Sequence, residues 1–433
     1  MSRLGVWVLA ALALLPPIIY HVQFSGLFWF GDEFGLIDEF DRVGFARWVW
    51  LTFGENFFPL FKILWGGMLF AGAGNYALVL AAIWATHALN VGLFATLLSR
   101  SGFSSVATAF AAVIFGLSAS QIETLTWAVL WSSELATTFL LVGMLDCLPL
   151  AESCEPCRWR SARLVLWSTA SAWSFARGLL SGPAIASFVL VRQISNSESG
   201  RSRWMTAALC LLPSIVTGII ILRLSPEDHH LAASGIARWE KVLGFGALYW
   251  ALNPFLTMWL IPKGIWWAGS IYGLAGVACI PKLLLVGLGL NFARHEQRRL
   301  LIAMLLLDLG YAALLGLGRS EGDLHNTMSS RYQYNSLLCA LQFLAVCFES
   351  LLQRGIVRHS IKLGVGVGII VVVASVACLQ WKPMLPSWVE WRGLGSRRLL
   401  FETNPIPAGN DLVGEPYVKN LRAKELADKY HLH

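Results

Sequence analysis

Apolar runs of about 20 residues recur along most of this chain, and that is the length a helix needs to cross the hydrocarbon of a bilayer. In lipid every backbone N–H and C=O must be bonded within its own segment, so such runs read as helices. The fold class that follows is all-α, a polytopic transmembrane bundle. The candidate spans are residues 4–20, 75–99, 103–118, 124–147, 204–223, 265–290, 300–317, 332–350 and 363–380. Residues 161–192 form a longer apolar stretch broken at Arg177-Gly178, which suits two short helices meeting at a turn. The sum is about eleven crossings. Of the 433 residues only 14% are charged, against about 25% in soluble domains, which excludes an ordinary soluble protein.

A net charge of +7 does not point to nucleic acid, because the basic residues come in small groups between apolar runs and not as one stripe. They fit the positive-inside rule instead. Arg100; Arg158, Arg160 and Arg163; Arg192, Arg201 and Arg203; Arg294, Arg298 and Arg299; and Arg354, Arg358 and Lys362 fall on one side of the alternating spans, the cytoplasmic side. The opposite face then receives the first loop, the ends near Glu123, the turn at Arg177, the loops 225–238 and 318–331, and the tail. Residues 242–261 would spoil this parity as a crossing, so they are expected in the interface or as a re-entrant element. Residues 56–70 read as a short helix or an interfacial platform, and 37–53 as a helix lying on the outer surface. Residues 1–380 make up the bundle, with the first outer loop at 21–56, and 381–433 a short tail packed on the outer face.

Many of the 20 Trp and 24 Phe stand where an apolar run meets a polar one, as interfacial belts do. The first run follows Arg3 but carries Pro16-Pro17 and Tyr20-His21 where a signal peptide would have small residues, so it reads as a retained helix. Five of the eight cysteines lie within apolar runs and behave as small hydrophobes. The lone Cys154-Glu155-Pro156-Cys157 has neither a second pair nor a nearby His, which speaks against zinc.

Acid is scarce in the apolar body, yet Asp32, Glu33, Asp38, Glu39 and Asp41 cluster directly after the first run. A carboxylate there suits a general base that takes a proton from a hydroxyl. It also suits an oxygen ligand for magnesium or manganese. A solvated acidic loop is the plain alternative. Arg331 opens a helix, where its charge opposes the dipole, and its fork matches a phosphate oxygen pair; the plain alternative is an interfacial anchor with Tyr332 and Tyr334. Glu123, at a helix start, serves either the dipole or chemistry. His87 and Asn90 share one helix face and read most simply as interhelical hydrogen-bond partners. Glu134 and Asp308 fall deep in apolar runs and are expected to be protonated, paired with an arginine such as Arg177, or part of a proton path.

Taken in order, these pieces resemble the membrane region of GT-C type glycosyltransferases, the class of the protein O-mannosyltransferases and the tetratricopeptide-bearing O-mannosyltransferases. Gly31-Asp32-Glu33-Phe34 stands where the class has an acidic pair in its first outer loop. Phe58-Pro59-Leu60-Phe61 is similar to the Pro-Leu that follows, and His87 to Asn90 to a His-x-x-Asn motif. Phe115 to Glu123 with Trp127 resembles an aromatic, small, Glu and Trp run, and Ser330-Arg331-Tyr332 a late Arg-Tyr motif. Ala176-Arg177 stands where many relatives have Lys-Glu.

The resemblance implies transfer of a sugar from a polyprenyl-phosphate-linked donor to a glycan, lipid or protein hydroxyl on the extracytoplasmic face. Asp32 would be the base, Glu33 its neighbour or cation ligand, and Arg331 the group on the lipid phosphate. Tyr332, Glu123, Trp127, Arg177 and His87 would line the substrate. A bacterial inner membrane fits the short loops. The other readings are a transporter or flippase, which would hold charges at the midplane, and a non-catalytic relative of the fold.

Overall fold

The computed structural model describes residues 1–54, 56–148, 157–191, 200–224, 236–254, 271–319, 324–354, 359–403, 405–406 and 418–433. Among these residues the chain is helical, with a single isolated bridge between Phe53 and Asn56. Among the described residues seven helices are long and apolar enough to cross a membrane: Tyr76–Arg100, Ala128–Cys147, Trp204–Leu224, Gly273–Phe292, His295–Arg319, Ser330–Gln353 and Gly364–Phe401. An eighth span forms if Ser105–Leu117 and Ala119–Thr126, bent by 42° at Ser118, are counted as one.

The count falls short of eleven at identifiable places. Pro16-Pro17 and the turns around them divide the first run into Arg3–Leu12, Leu15–Ile19 and His21–Phe24, none of membrane length. The stretch around Arg177 gives Cys157–Ala172 and Ser181–Val191, of 16 and 11 residues, joined by the turn at Ala176–Leu180. The first helix still belongs to the bundle. A Cβ built on Gly92 would meet Ala10 at 3.5 Å and one on Gly116 would meet Ala13 at 3.1 Å, the close small-residue approach on which helix packing in lipid relies.

Two polar ends hold the bundle in register. At one end Glu349 bonds Arg294 (2.8 Å), Gln297 (3.1 Å) and the Ser104 amide (3.4 Å), and Arg294 also reaches the Gly102 carbonyl. That joins the Arg100 turn to the loop before His295 and the end of the Gln333–Arg354 helix, three of the groups expected on one side. The cluster at Arg192, the loop 225–238 except its last residues, Arg358 and Cys154 lie outside the described residues. At the other end Tyr76 donates to the Thr126 carbonyl (2.8 Å), Trp388 to the Thr126 hydroxyl (2.7 Å), and the Glu123 amide to Ser330 (3.2 Å).

Residues 236–252 are packed into the bundle. They form a helix antiparallel to His295–Arg319, and two glycines set the approach: a Cβ on Gly316 would stand 2.3 Å from the Val242 carbonyl, and one on Gly246 2.7 Å from that of Ala312. Residues 255–261 of the expected element lie outside the described residues. Beside this contact Lys282 is buried, bonding Asp308 (2.8 Å) and the carbonyls of Trp250 (2.6 Å) and Asn253 (2.8 Å). The internal charge at Asp308 is therefore paired with a lysine and not with Arg177.

The boundary expected at residue 380 falls inside a helix. The helix His359–Val389 runs through Pro383 and Pro386, passes a π-helical turn at Glu390–Leu394 and continues to Phe401. Residues 37–53 form the end of the helix Asp32–Val43 and the short Phe45–Trp48, with Phe34, Leu36 and Ile37 fully buried beneath. Over its acids lies the tail helix Asn420–Lys429, through Arg422 to Asp38 (2.9 Å) and Asp41 (2.7 Å). Residues 59–71 form a short helix, Pro59–Ala71, whose Lys62 is buried against Glu39 at 2.9 Å.

Because Gly316 has no room for a side chain, Gly316→Val is expected to destabilise the bundle by about 1–3 kcal/mol in chemical unfolding in detergent. Gly318→Ala, with nothing within 4 Å of the added carbon, is expected to leave the midpoint unchanged.

Candidate functional site

Four chain segments meet at the acidic end, and each arrives through an interrupted helix. The first is the loop before the helix Asp32–Val43, entered through Gly31 at φ +60°, a conformation that favours glycine. Asp32 opens this helix, where the dipole favours its charge, and it is half-buried. The second is Ile122–Thr126 with Trp127, the third the turn Ser330–Tyr332, and the fourth the π-helical turn holding Arg392.

Glu33 fastens the first segment to the second. Its side chain is completely buried; one oxygen accepts the Phe30 amide at 2.7 Å and the other the Ala128 amide at 2.8 Å. The Tyr76 hydroxyl lies 3.3 Å from the second oxygen but 2.8 Å from the Thr126 carbonyl, so its one proton goes to Thr126. A proton on Glu33 completes that contact. Burial pushes the Glu33 carboxyl up to about 8, while the Phe30 and Ala128 amides, Tyr76 and Arg392 pull against that rise. Glu33 is thereby a fastening between loops, enclosed by its own partners.

Glu123 joins the second segment to the third and fourth. One oxygen accepts from the Ser329 hydroxyl (2.7 Å) and the Arg331 amide (2.8 Å), with the Arg331 Nε at 3.6 Å. Its other oxygen stands 3.6 Å from an Arg392 terminal nitrogen. Trp127 lies between the two cations, its ring centre 4.2 Å from the Arg392 guanidinium carbon and 6.0 Å from that of Arg331. Phe30 meets Trp127 edge-on at 6.2 Å, and a Cβ on Gly31 would touch the Trp127 ring at 3.6 Å. The Asp32 turn is thus built against the same indole that both arginines face.

Of the residues singled out in the sequence, Asp32, Glu33, Glu123, Trp127 and Arg331 come together here. Tyr332 is buried just beneath, among Tyr249 and Tyr311 at ring distances of 6.2 and 6.5 Å. Arg177 stands apart. Its turn lies at this end, where the Leu60 amide bonds Trp173 and the Ala176 amide bonds Asn56, but its side chain runs inward to Ser133 and Thr137, beneath Tyr311 and Tyr334. His87 is eleven positions down the helix from Tyr76, about 16 Å at 1.5 Å per residue. It bonds Tyr334 and the Gly116 carbonyl, each at 3.1 Å, while Asn90 bonds the same tyrosine at 2.9 Å. Both serve as the interhelical partners expected of them, and neither reaches the acidic end.

The other acids of the first loop are taken up by packing. Asp38 pairs with Arg42 and Arg422, Glu39 with Lys62, and Asp41 with Arg422, Lys429 and Tyr430. Burial pushes the Asp41 carboxyl up, yet its bonds to Lys429, Tyr430 and Arg422 outweigh that and hold it down at about 2. Among the described residues no three His, Cys, Asp or Glu side chains gather as a metal site requires. Asp32 is half-buried, more open than the fully buried Glu33.

Arg392 was missed in the sequence because it lies in what reads as a tail. The signal was present in Trp388-Val389-Glu390-Trp391-Arg392, a belt-like aromatic pair with a cation at the end of an apolar run. Set against known protein families, characterised proteins and solved structures, the chain matches none.

Glu33→Gln cannot reproduce this fastening, since an amide nitrogen in either oxygen position faces a backbone N–H. Leaving one buried donor unmet costs about 1–3 kcal/mol, to be read from unfolding in detergent. A carboxyl raised to about 8 from 4.5 binds its proton more tightly in the fold. Its contribution is complete below 4.5 and is lost as pH rises through 8, so the native midpoint should fall over that window and the Gln variant should lose the slope.

Proposed function

We propose that this protein is a membrane glycosyltransferase of the GT-C kind, moving a sugar from a polyprenyl-phosphate-linked donor to an acceptor hydroxyl. The observation that carries this reading is the meeting of the Asp32 turn, Glu123, Trp127 and Arg331 at one end of the bundle, although Asp32 and Arg331 stand 299 positions apart in the chain. The acceptor is a glycan, lipid or protein, and the membrane a bacterial inner membrane with this end facing outward. The shorter helices Arg3–Leu12, Cys157–Ala172 and Ser181–Val191 would then supply the further crossings that bring the total to about eleven.

In this reaction the acceptor oxygen gives its proton to an Asp32 carboxylate oxygen and bonds to the anomeric carbon. The bond from that carbon to the phosphate oxygen breaks, and its electron pair leaves with the lipid phosphate. Negative charge grows on the phosphate as the bond lengthens, so a guanidinium held at Arg331 in a site partly closed to water stabilises the transition state more than the ground state. Trp127 and Phe30 offer ring faces to a sugar. Glu33 holds the loop that carries Asp32, which makes it a positioning residue. Among the described residues no group of three His, Cys, Asp or Glu side chains stands ready for magnesium or manganese.

Transport is the second reading, and the buried charges favour it. Both oxygens of Glu134 are buried without a hydrogen-bond partner, and Lys282 and Asp308 form a pair inside the bundle. Lys282, however, is bonded to two backbone carbonyls as well as to Asp308, a fixed arrangement that suits structure better than a moving load. The outer acids have no part in this reading.

Transfer from a radiolabelled polyprenyl-phosphate-sugar pool in vesicles separates the two. Asp32→Asn is expected to lower transfer by at least 100-fold, the lower range for losing a general base, with the folded protein at native level. Normal turnover in that variant would sink the assignment.

A further inference from the structure

Of the two cations that flank Glu123, Arg392 is the more enclosed. Its side chain is 9% exposed and stands among four rings, those of Phe30 (4.6 Å), Trp127 (4.2 Å), Trp388 (4.3 Å) and Trp391 (4.7 Å). The π-helical turn that carries it is pinned by contact of backbone on backbone, since a Cβ on Gly393 would lie 2.1 Å from the Gly26 carbonyl. Ring faces favour a desolvated cation, but they do not replace oxygen acceptors for its donors. Nε and one terminal nitrogen of Arg392 have no hydrogen-bond partner. The other terminal nitrogen stands 3.6 Å from Glu123, beyond a direct bond.

Glu123 cannot neutralise this group alone. The carboxylate is fixed by Ser329 and the Arg331 amide, and Arg331 draws on it from the other side at 3.6 Å. Two guanidiniums therefore flank one carboxylate, with Glu33 enclosed by its own donors. Arg331 is the accessible arm, its side chain 31% exposed, and Arg392 the buried one. A planar carboxylate presents two oxygens to a single fork. Two forks on different sides of a fixed spacer suit the tetrahedral oxygen set of a phosphate.

We propose that Arg392 and Arg331 are the two arms of a receptor for a phosphate-ester anion, with Glu123 as the fixed spacer that keeps the arms apart when the anion is absent. This deepens the proposed function by adding the last span to the donor site, and it rests on that reading only for the assignment of the phosphate to a lipid. Entry of the anion supplies acceptors to buried donors and removes the excess positive charge. Arg392 thereby acts on donor binding, while Asp32 acts on the acceptor.

Binding to the purified full chain in detergent tests this without any transfer reaction, with farnesyl phosphate, inorganic phosphate and farnesol as probes in titration calorimetry. Arg392→Gln is expected to weaken farnesyl phosphate binding at least 10-fold. Arg392→Lys, which keeps the charge and loses the fork, is expected to fall between the two, and farnesol should not discriminate. Inorganic phosphate binding as tightly as the prenyl ester, and weakened by the same variants, would support the anion receptor but take it away from lipid. Native affinity for farnesyl phosphate in Arg392→Lys and Arg392→Gln overturns the proposal, and if the Gln variant does not fold the Lys variant decides alone. Intact binding with no detectable transfer in the native chain would fell the transferase reading while leaving the receptor standing.

Discussion

Backbone groups freed where helices are interrupted must be bonded from elsewhere, and the acidic end of this bundle is made almost wholly of interruptions. Its carboxylates answer that need before any other. Glu33 accepts the amides of Phe30 and Ala128, and Glu123 accepts the amide of Arg331. Hydroxyls do the same, with Ser330 donating to the Ser120 carbonyl and Tyr76 to that of Thr126. Apart from the local Phe30 bond, each ties two segments that are distant in sequence, so the geometry of the end depends on acids that at first sight look free for chemistry.

This double use explains which parts of the protein could be read from its residues. The apolar runs gave the bundle, because a run of about 20 residues has few other physical outcomes. The broken stretch at Arg177 read correctly as two short helices, since a cation and a glycine together end an apolar helix. The packing of residues 236–252 was not legible, because it depends on Gly246 and Gly316 meeting backbone across the helix pair, a pairing that local composition does not reveal. The division of the first run into three pieces at its prolines was not foreseen, because prolines look tolerable in a span.

The site was legible as a list and not as an arrangement. Asp32, Glu123, Trp127 and Arg331 stood out by residue type at run boundaries. That Glu33 is closed off while Asp32 is half-buried follows from which way each side chain turns at the start of one helix, and adjacency in the sequence hides it. Arg177 and His87 share the composition of site residues but hang from helix faces that turn inward, where tyrosines and carbonyls take their bonds. Arg392 was obscured by the prolines before it, which suggested a tail where the last span in fact continues.

The clasp of the tail helix on the helix Asp32–Val43 has a consequence in time. Asp38 leaves the ribosome 384 residues before the guanidinium that pairs with it, a delay of roughly 20 to 80 seconds at about 5–20 residues per second. Throughout that interval Asp38 and Asp41 lack Arg422, and the rings of Phe30 and Trp127 lack Arg392. This end of the bundle can therefore close only after the last helices are made, later than the segments it joins.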